Sequence, residues 1–349
     1  DSSTSRGLGD VYKRQVYKNM SKTIDIRLLG IEVVRMYKIF LSSEHHGTVR
    51  RNEIEPGCWI AMTAPSADEL QTVASECSIQ LEDLRAALDD EERSRIQVED
   101  DYTLIVVDIP VIEERNGKDW YGTIPLGIAV TDSQIITICL EDTPVLNNFM
   151  DGRVREFYTY KKTRFILQIL YRNATLFLNY LRNIDKRSEL LEKKLREDQK
   201  NKELLELQEL EKSLVYFTTS LKGNELVLEK LFRIDKIKKY PEDEDLLEDV
   251  IVENKQAIEM ASIYSGILSG SMDAFASIIS NNLNQSMKFL ATVTIVLSIP
   301  TMVASFYGMN VSTSGMPFAD SPFGFLIVIG FSIILSFIVS IIFWKKDLF

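Results

Sequence analysis

Two segments near the carboxyl end of the chain contain no charged residue. The first runs from Phe289 to Tyr307 and the second from Phe323 to Trp344, which gives lengths of 19 and 22 residues. At a rise of 1.5 Å per residue, a helix of this length crosses a hydrocarbon layer of about 30 Å. A buried helix of a soluble protein rarely stays uncharged for so long. We therefore predict two transmembrane helices, over residues 289–307 and 323–344.

The charges beside these two segments predict their orientation. Lys288 precedes the first segment, and Lys345 and Lys346 follow the second, whereas the connection between them has no Lys or Arg and one acid, Asp320. Lysine and arginine concentrate on the cytoplasmic side of a membrane. The sequence thus predicts a multi-pass protein of the cell (inner or plasma) membrane, embedded in the lipid bilayer with both termini cytoplasmic. Residues 308–322 form an outer loop and residues 345–349 a basic cytoplasmic tail.

Charge and motif content exclude several classes of function. The 349 residues carry a net charge of −11, which is the wrong sign for binding nucleic acid. The phosphate-binding pattern GxxxxGK is absent, so we expect no nucleotide. Cys58, Cys77 and Cys139 are widely spaced and the only histidines are adjacent, a pattern that favours reduced, structural thiols over a zinc site. The sequence shows no catalytic constellation, and we predict that the protein is not an enzyme.

Residues 36–143 alternate between strand-like and helix-like segments. Runs rich in β-branched residues (MYKIFL, CWIAMT, TLIVVDIPV, TIPLGIAV and QIITICL) predict strands. SADELQTVASE predicts a helix that opens with a capping box from Ser66 to Glu69, and IQLEDLRAALDDEE predicts a second helix. This order predicts an α+β (mixed α/β) cytoplasmic domain. Residues 1–35 have no core-forming pattern, and we expect a non-native or disordered tail before a start at Met36.

After Pro144 the chain becomes helical and strongly charged. Apolar residues then recur every three or four positions, as in a coiled-coil seam, with Asn224 filling one gap: Leu207, Leu210, Leu214, Phe217, Leu221, Leu228, Leu231. Pro241 ends this pattern, and the acids after it suit the start of a new helix. We predict a cytoplasmic helical hairpin over 144–240. A single stalk helix over 241–307 then continues into the first membrane segment.

One face of the predicted stalk helix carries small and polar side chains along its upper half. In steps of three and four from Asp273, every residue except Met287 is small or polar: Ser277, Ser280, Asn284, Met287, Ala291, Thr294, Ser298, Thr301, Ser305, Gly308. We call this set the polar stripe. It could serve tight helix–helix packing, or several copies of the chain could close it into the lumen of a passive pore. By itself the stripe indicates only that more than one copy is needed.

The top of the polar stripe is the tetrapeptide YGMN, Tyr307–Asn310. Gly-Met-Asn at the end of the first of two terminal membrane segments resembles the signature of the CorA family of magnesium channels. The acidic cytoplasmic part, the long stalk, the short MPF-containing loop and the final lysines agree with this resemblance.

The resemblance implies a homopentameric funnel with a selectivity filter at Gly308, Met309 and Asn310, in which Tyr307 packs the turn. The family's polar pore rings fall on Asp273, Asn284 and Thr301. We expect the other polar members of the stripe to line the same path for divalent cations: Ser277, Ser280, Thr294, Ser298, Ser305. The resemblance also places a hydrophobic gate at Met287 and Leu290. Ser298 departs from the bulky apolar residue that the family often has at its level.

The resemblance further implies that Mg²⁺ is both the transported ion and a regulator bound between cytoplasmic domains. Asp249 matches one regulatory position, and its partner is Asp83 or, as the next choice, Asp89 or Asp90. Two alternatives stay open. One is a zinc or other divalent cation transporter of the same architecture. Met309 favours the magnesium branch over this alternative. A magnesium channel could also transport Co²⁺ and Ni²⁺. The other is a non-conducting, membrane-tethered coiled-coil scaffold.

Overall fold

This computed structural model describes residues 37–43, 47–115, 117–198, 201–231, 233–234, 240–310, 315–318 and 321–346. The predicted tail over 1–35, the start at Met36, the two histidines and the last three residues lie outside that part of the chain. The strands are β1 (Tyr37–Ser43), β2 (Gly47–Arg51), β3 (Trp59–Thr63), β4 (Arg95–Val98), β5 (Tyr102–Arg115), β6 (Lys118–Thr131) and β7 (Ile135–Cys139). The helices are α1 (Ala67–Cys77), α2 (Leu81–Ala86), α3 (Pro144–Met150), α4 (Lys162–Asp198), α5 (Asn201–Leu231), α6 (Glu244–Tyr307) and α7 (Gly324–Lys345).

The described chain divides into two compact units, and several long elements pass through both. The first unit comprises the described residues within 37–111, 123–176 and 220–255, and the second comprises those within 112–122, 177–219 and 256–346. The predicted fold class, a mixed α/β domain followed by long helices and two apolar helices, is confirmed. The domain boundaries drawn from the sequence stay predictions.

The first unit is built on a seven-stranded mixed sheet with the order β2-β1-β3-β7-β6-β5-β4. β3 and β7 run parallel, whereas β1 pairs antiparallel with both β2 and β3. Because successive side chains on a strand point to opposite faces, a central strand can contribute to two cores. On β3, Trp59 and Ala61 join the core that contains residues of α3, α4 and α5, and Ile60 and Met62 join the core that contains residues of α1 and α2.

The sequence prediction missed the two edge strands and overextended one helix. β2 (GTVRR) and β4 (RIQV) carry charges that hide the alternating pattern, and charged residues are common on edge strands because they prevent pairing with other chains. The predicted second helix is confirmed only over Leu81–Ala86. Beyond it the Asp89 side chain accepts a hydrogen bond from the Glu91 N–H at 3.1 Å, a local turn that competes with helix. The Ser66–Glu69 capping box is confirmed.

Asn224 fills the gap in the predicted α5 seam, whose seven apolar members are all buried. Its side chain pairs with the backbone of Asp108 on β5: it accepts from the Asp108 N–H at 2.9 Å and donates to the Asp108 carbonyl at 2.8 Å. β4 pairs with β5 only as far as Val106. At Asp108, the side-chain amide of Asn224 therefore takes the place of a paired strand. Ser94 donates to the same Asn224 oxygen at 3.0 Å, and Asn173 donates to the Asp108 carbonyl at 2.8 Å.

The Asp108 side chain belongs to the same buried polar network. Burial raises the pKa of its carboxyl, although hydrogen bonds with Ser220 and Ser94 act in the opposite direction. The network therefore joins one strand to two long helices through hydrogen bonds. Removing one member leaves buried polar groups of the others without partners.

In the second unit, the first residues of β6 contact α4 and α5. Tyr121 packs edge-on against Tyr180 and Phe217, with ring centroids 5.8 and 6.4 Å apart. The buried Glu206 on α5 accepts hydrogen bonds from Lys118 on β6 and from Arg187 on α4, the latter through Nε at 2.9 Å. Burial alone would raise the pKa of Glu206, but the two cations outweigh burial and hold the pKa of the carboxyl below its ordinary value.

We expect Asn224→Ala to lower the free energy of unfolding by about 2 kcal/mol, because the buried N–H of Asp108 loses its acceptor. The melting temperature of the detergent-solubilised full chain should fall by about 4–8 °C. Asn183→Ala, an exposed asparagine on α4, is the matched control and should leave the melting temperature unchanged. Equal effects of the two substitutions would contradict a stabilising role for the Asn224–Asp108 pairing.

Glu206→Gln should destabilise the protein by about 1–3 kcal/mol at pH 7, since it removes the charge that Lys118 and Arg187 neutralise. Because the pKa of Glu206 is lower in the folded state, its ionised carboxylate stabilises the fold at every pH above the ordinary glutamate pKa of 4.5. This stabilisation is lost as the pH falls from 4.5 through the lower pKa of the folded state. Denaturant unfolding from pH 7 to pH 3 should therefore show the gap between wild type and variant closing on acidification. Glu209→Gln, which changes an exposed neighbour, is the control; a gap that widens with acid would contradict the prediction.

Candidate functional site

The upper half of α6 has a face that none of the described residues covers. Lower on the helix, one face is buried up to Phe275, through Val250, Asn254, Ala257, Ala261 and Leu268. Between residues 276 and 307, all of which are described, only Thr292 is buried. α6 continues through Pro300 to Tyr307 without interruption, as the sequence predicts.

Every member of the polar stripe is exposed on this helix. The structure places the predicted pore residues in one row from Asp273 to Ser305, and the predicted gate residues Met287 and Leu290 lie beside them, 63% and 62% exposed. Exposing two large apolar side chains to water costs free energy, and contact with a partner chain or with lipid would remove that cost. Whether this row lines a pore stays a prediction.

Several hydroxyls of the polar stripe donate their hydrogen to the backbone of their own helix. Thr294 donates to the Leu290 carbonyl at 2.8 Å, Ser298 to Ile295 at 2.8 Å, and Ser277 to the carbonyl of Asp273 at 3.0 Å. Thr301 makes the same kind of bond to Leu297 at 3.3 Å. A hydroxyl that donates inward keeps its oxygen lone pairs for an outside donor. The exposed row therefore offers acceptors.

The helix ends where the sequence predicts, at Tyr307. The Gly308 N–H donates to the Ala304 carbonyl at 2.9 Å, and the Met309 N–H donates to Phe306 at 3.4 Å, which tightens the last turn. Gly308 does not have a positive φ, and a side chain there would meet the Ala304 oxygen at 3.4 Å, an ordinary contact. The fold of one chain thus does not require glycine at this position. Met309 and Asn310 are exposed.

Tyr307 is tied to the segment that precedes α7. Its hydroxyl donates to the carbonyl of Pro317 at 2.7 Å. The family resemblance implies that Tyr307 packs the turn at Gly308, and that role stays a prediction. Pro317 itself was missed as a site residue, because its contribution is a backbone carbonyl, which the sequence does not distinguish from any other.

The predicted regulatory acids lie in different surroundings within the first unit. Asp249 on α6 and Asp89 after α2 are exposed, whereas Asp83 on α2 is buried. The Asp83 carboxylate accepts hydrogen bonds from the Tyr102 hydroxyl and from Gln97 Nε2, the latter at 3.3 Å. Burial, followed by the hydrogen bond to Asp83, raises the pKa of the Tyr102 hydroxyl. Asp83 is therefore engaged inside its own domain.

The described residues contain no group of three or more His, Cys, Asp or Glu side chains that could hold a metal ion. They contain two helices that are long and apolar enough to cross a membrane, Pro241–Tyr307 and Gly324–Lys345, and these include nearly all of the two predicted segments.

Comparison with known proteins gives a consistent result. A family model described as CorA-like Mg²⁺ transporter protein matches residues 55–346. The cobalt/magnesium transport protein CorA of Methanocaldococcus jannaschii is 29% identical over 297 residues, which are 82% of this chain and 90% of that protein.

Solved structures agree with the family match. The complete structure of the CorA magnesium transporter from Methanocaldococcus jannaschii superposes with a TM-score of 0.76 at 27% identity, over 89% of this chain and 98% of that one. The full-length CmaX protein shares the fold, with a TM-score of 0.65 at 14% identity over 90% of this chain and 97% of its own. Since the family model covers most of the sequence, the chain belongs to the CorA-like Mg²⁺ transporter protein family.

Proposed function

We propose that this chain is the subunit of a passive channel that conducts hydrated divalent cations, Mg²⁺ foremost, into the cytoplasm. The observation that carries the proposal is the exposed polar stripe of α6, which ends directly at Gly308, Met309 and Asn310 in a member of the CorA-like family. Within the described part of the chain, nothing covers the stripe or the apolar residues Met287 and Leu290 beside it. A ring of copies, which we take to be five, would bury the sides of each α6 and turn its stripe to a common axis.

The hydroxyl geometry supports conduction of a hydrated ion. A divalent cation orients its water oxygens inward, so its water hydrogens point outward and need acceptors. Thr294, Ser298 and Thr301 present acceptors because their own hydrogens bind the helix backbone. Mg²⁺ gives up its water reluctantly, and a path lined by neutral oxygens spares that cost while holding the ion weakly enough to release it.

The filter assignment rests on the turn at the top of α6. Glycine at 308 is not needed by the backbone of the single chain, so its absent side chain is explained better by the approach of neighbouring copies and of an ion to the axis. Asn310 supplies an amide oxygen that accepts from the water shell. Below it, Met287 and Leu290 are exposed and apolar, a combination that can close a narrow pore by excluding water.

The regulatory proposal pairs acids from neighbouring copies. Asp249 is exposed and therefore accessible to a second chain, and Asp89 is exposed as well. Asp83 already accepts hydrogen bonds from Tyr102 and Gln97, so we propose Asp89, rather than Asp83, as the more accessible partner. Mg²⁺ between two carboxylates would offset their repulsion and favour the closed arrangement, and its loss would let the copies separate. In this arrangement Lys288, Lys345 and Lys346 face the cytoplasm.

Asn310→Ala should reduce Mg²⁺ influx into proteoliposomes by at least about tenfold, since it removes the amide that binds the hydrated ion. Assembly, measured by size-exclusion chromatography, should be unchanged. Asn281→Ala removes the same side chain from an exposed position on α6 outside the stripe and should conduct normally. Wild-type flux through Asn310→Ala would refute the filter.

Parallel influx assays with Zn²⁺ and Mg²⁺ on the wild-type protein separate a zinc transporter from a magnesium channel.

Asp249→Asn should raise the Mg²⁺ concentration that protects the protein from protease by about tenfold, because a neutral amide is a weaker Mg²⁺ ligand than a carboxylate. The control is Glu248→Gln, which neutralises the exposed preceding residue on α6. If both variants shift the protection curve equally, general surface charge rather than a specific site is responsible.

A further inference from the structure

The short segment before α7 is held from two sides. On one side, the Tyr307 hydroxyl at the end of α6 donates to the Pro317 carbonyl at 2.7 Å. On the other side, Gly324, the first residue of α7, lies against the carbonyl of Phe318. We call the four residues Tyr307, Pro317, Phe318 and Gly324 the outer clasp. All four lie in the described part of the second unit.

The contact at Gly324 leaves no room for a side chain. A Cβ at this position would lie 2.2 Å from the Phe318 oxygen and 3.3 Å from its carbonyl carbon. Both are backbone atoms, which cannot rotate away as the end of a side chain can. Gly324 is buried, and its N–H donates to the Ser321 carbonyl at 3.0 Å, while the Ser321 N–H donates to the Phe318 carbonyl at 3.2 Å. Glycine is therefore required here by close packing.

Phe318 shows that the segment is fixed by its surroundings. Its φ is +65°, in the left-handed region that residues with a bulky side chain rarely adopt. Such a conformation persists only where neighbouring contacts determine it. The Tyr307 hydrogen bond on one side and the Gly324 contact on the other supply those contacts.

We infer that the outer clasp positions the turn at Gly308, Met309 and Asn310, and that Tyr307 and Gly324 are positioning residues for ion selection. Tyr307 is adjacent to Gly308, so the hydrogen bond to Pro317 acts directly at the base of the turn. Gly315 follows Asn310 by only five residues. With Pro317 and Phe318 held against both α6 and α7, the turn has little freedom to tilt or rise. This inference rests on the proposed filter.

Ion selection explains why such positioning matters. A hydrated cation is recognised through its water shell, in which each hydrogen bond contributes little and the geometry of the ring discriminates. A binding group must then be held to within about 0.5 Å of its productive position. Displacing the turn should change the ratio of ions conducted, whereas a general loss of stability lowers the flux of all ions together.

The test compares two glycines of α7. Gly324→Ala forces a shift of the Phe318 backbone, whereas Gly330→Ala is the matched control because nothing lies within 4 Å of a Cβ at Gly330. In proteoliposomes we expect Gly324→Ala to change the Mg²⁺ to Co²⁺ influx ratio by about fivefold or more. Gly330→Ala should match the wild type. Tyr307→Phe, which removes only the hydroxyl, should shift the ratio in the same direction. This variant keeps the test possible if Gly324→Ala does not fold.

A second readout does not depend on conduction. Cys58, Cys77 and Cys139 are all buried, and burial raises the pKa of Cys77 to about 12, so a thiol-specific spin label should react selectively at an introduced Met309→Cys. Gly324→Ala and Tyr307→Phe should increase the mobility of that label, and Gly330→Ala should not.

The outcomes separate the clasp from the filter. An unchanged label spectrum together with a wild-type ion ratio in folded Gly324→Ala and Tyr307→Phe overturns the clasp and leaves the filter standing. Normal flux in Asn310→Ala overturns the filter. In that case, a more mobile label in Gly324→Ala and Tyr307→Phe would still show that the clasp holds the turn. Equal loss of Mg²⁺ and Co²⁺ flux with an unchanged label spectrum also overturns the clasp, because it indicates only reduced stability.

Discussion

The structure depends on one helix whose side chains are covered along one half and exposed along the other. α6 has 64 residues, and its buried face ends at Phe275. Beyond that point the described residues supply almost no neighbour, although the helix carries both large apolar groups and a row of side-chain oxygens. Apolar groups of this size require lipid or a partner, and oxygens at membrane depth require water or a polar neighbour. Repetition of the chain around an axis meets both requirements.

The elements that precede α6 show how such a long helix can be anchored at its lower end. The apolar seam of α5 is buried throughout, and the side chain of Asn254 on α6 donates to the Leu221 carbonyl at 3.2 Å. Asn224 continues the hydrogen bonding of the sheet edge with a side-chain amide, and Glu206 is neutralised by Lys118 and Arg187. These buried polar contacts specify one arrangement of strand and helices, whereas apolar contacts alone tolerate sliding.

The sequence predicted the regular and strongly patterned parts of the molecule. Both apolar helices, the α5 seam, the capping box at Ser66 and the end of α6 at Tyr307 follow from local composition and spacing. It missed β2 and β4, because edge strands with charged side chains lose the alternating signal. It extended α2 too far, because the turn made by Asp89 depends on one side-chain hydrogen bond. For the candidate site, it pointed to the row on α6 and to the tetrapeptide, and it ranked Asp83 above Asp89, because nothing in the sequence shows that Asp83 is buried and hydrogen-bonded.

The sequence by itself determined the properties that residues carry along one chain. These are two uncharged segments, a stripe at helical spacing, an apolar seam and the Gly-Met-Asn signature. Only the tertiary structure decided which groups are already in use. It showed that Asp83 is bound to Tyr102 and Gln97, that Gly308 is not required by backbone conformation, and that Gly324 is required by the Phe318 carbonyl. The physical reason is that spacing along a helix fixes direction, whereas hydrogen bonding and close packing depend on atoms brought together from distant parts of the chain.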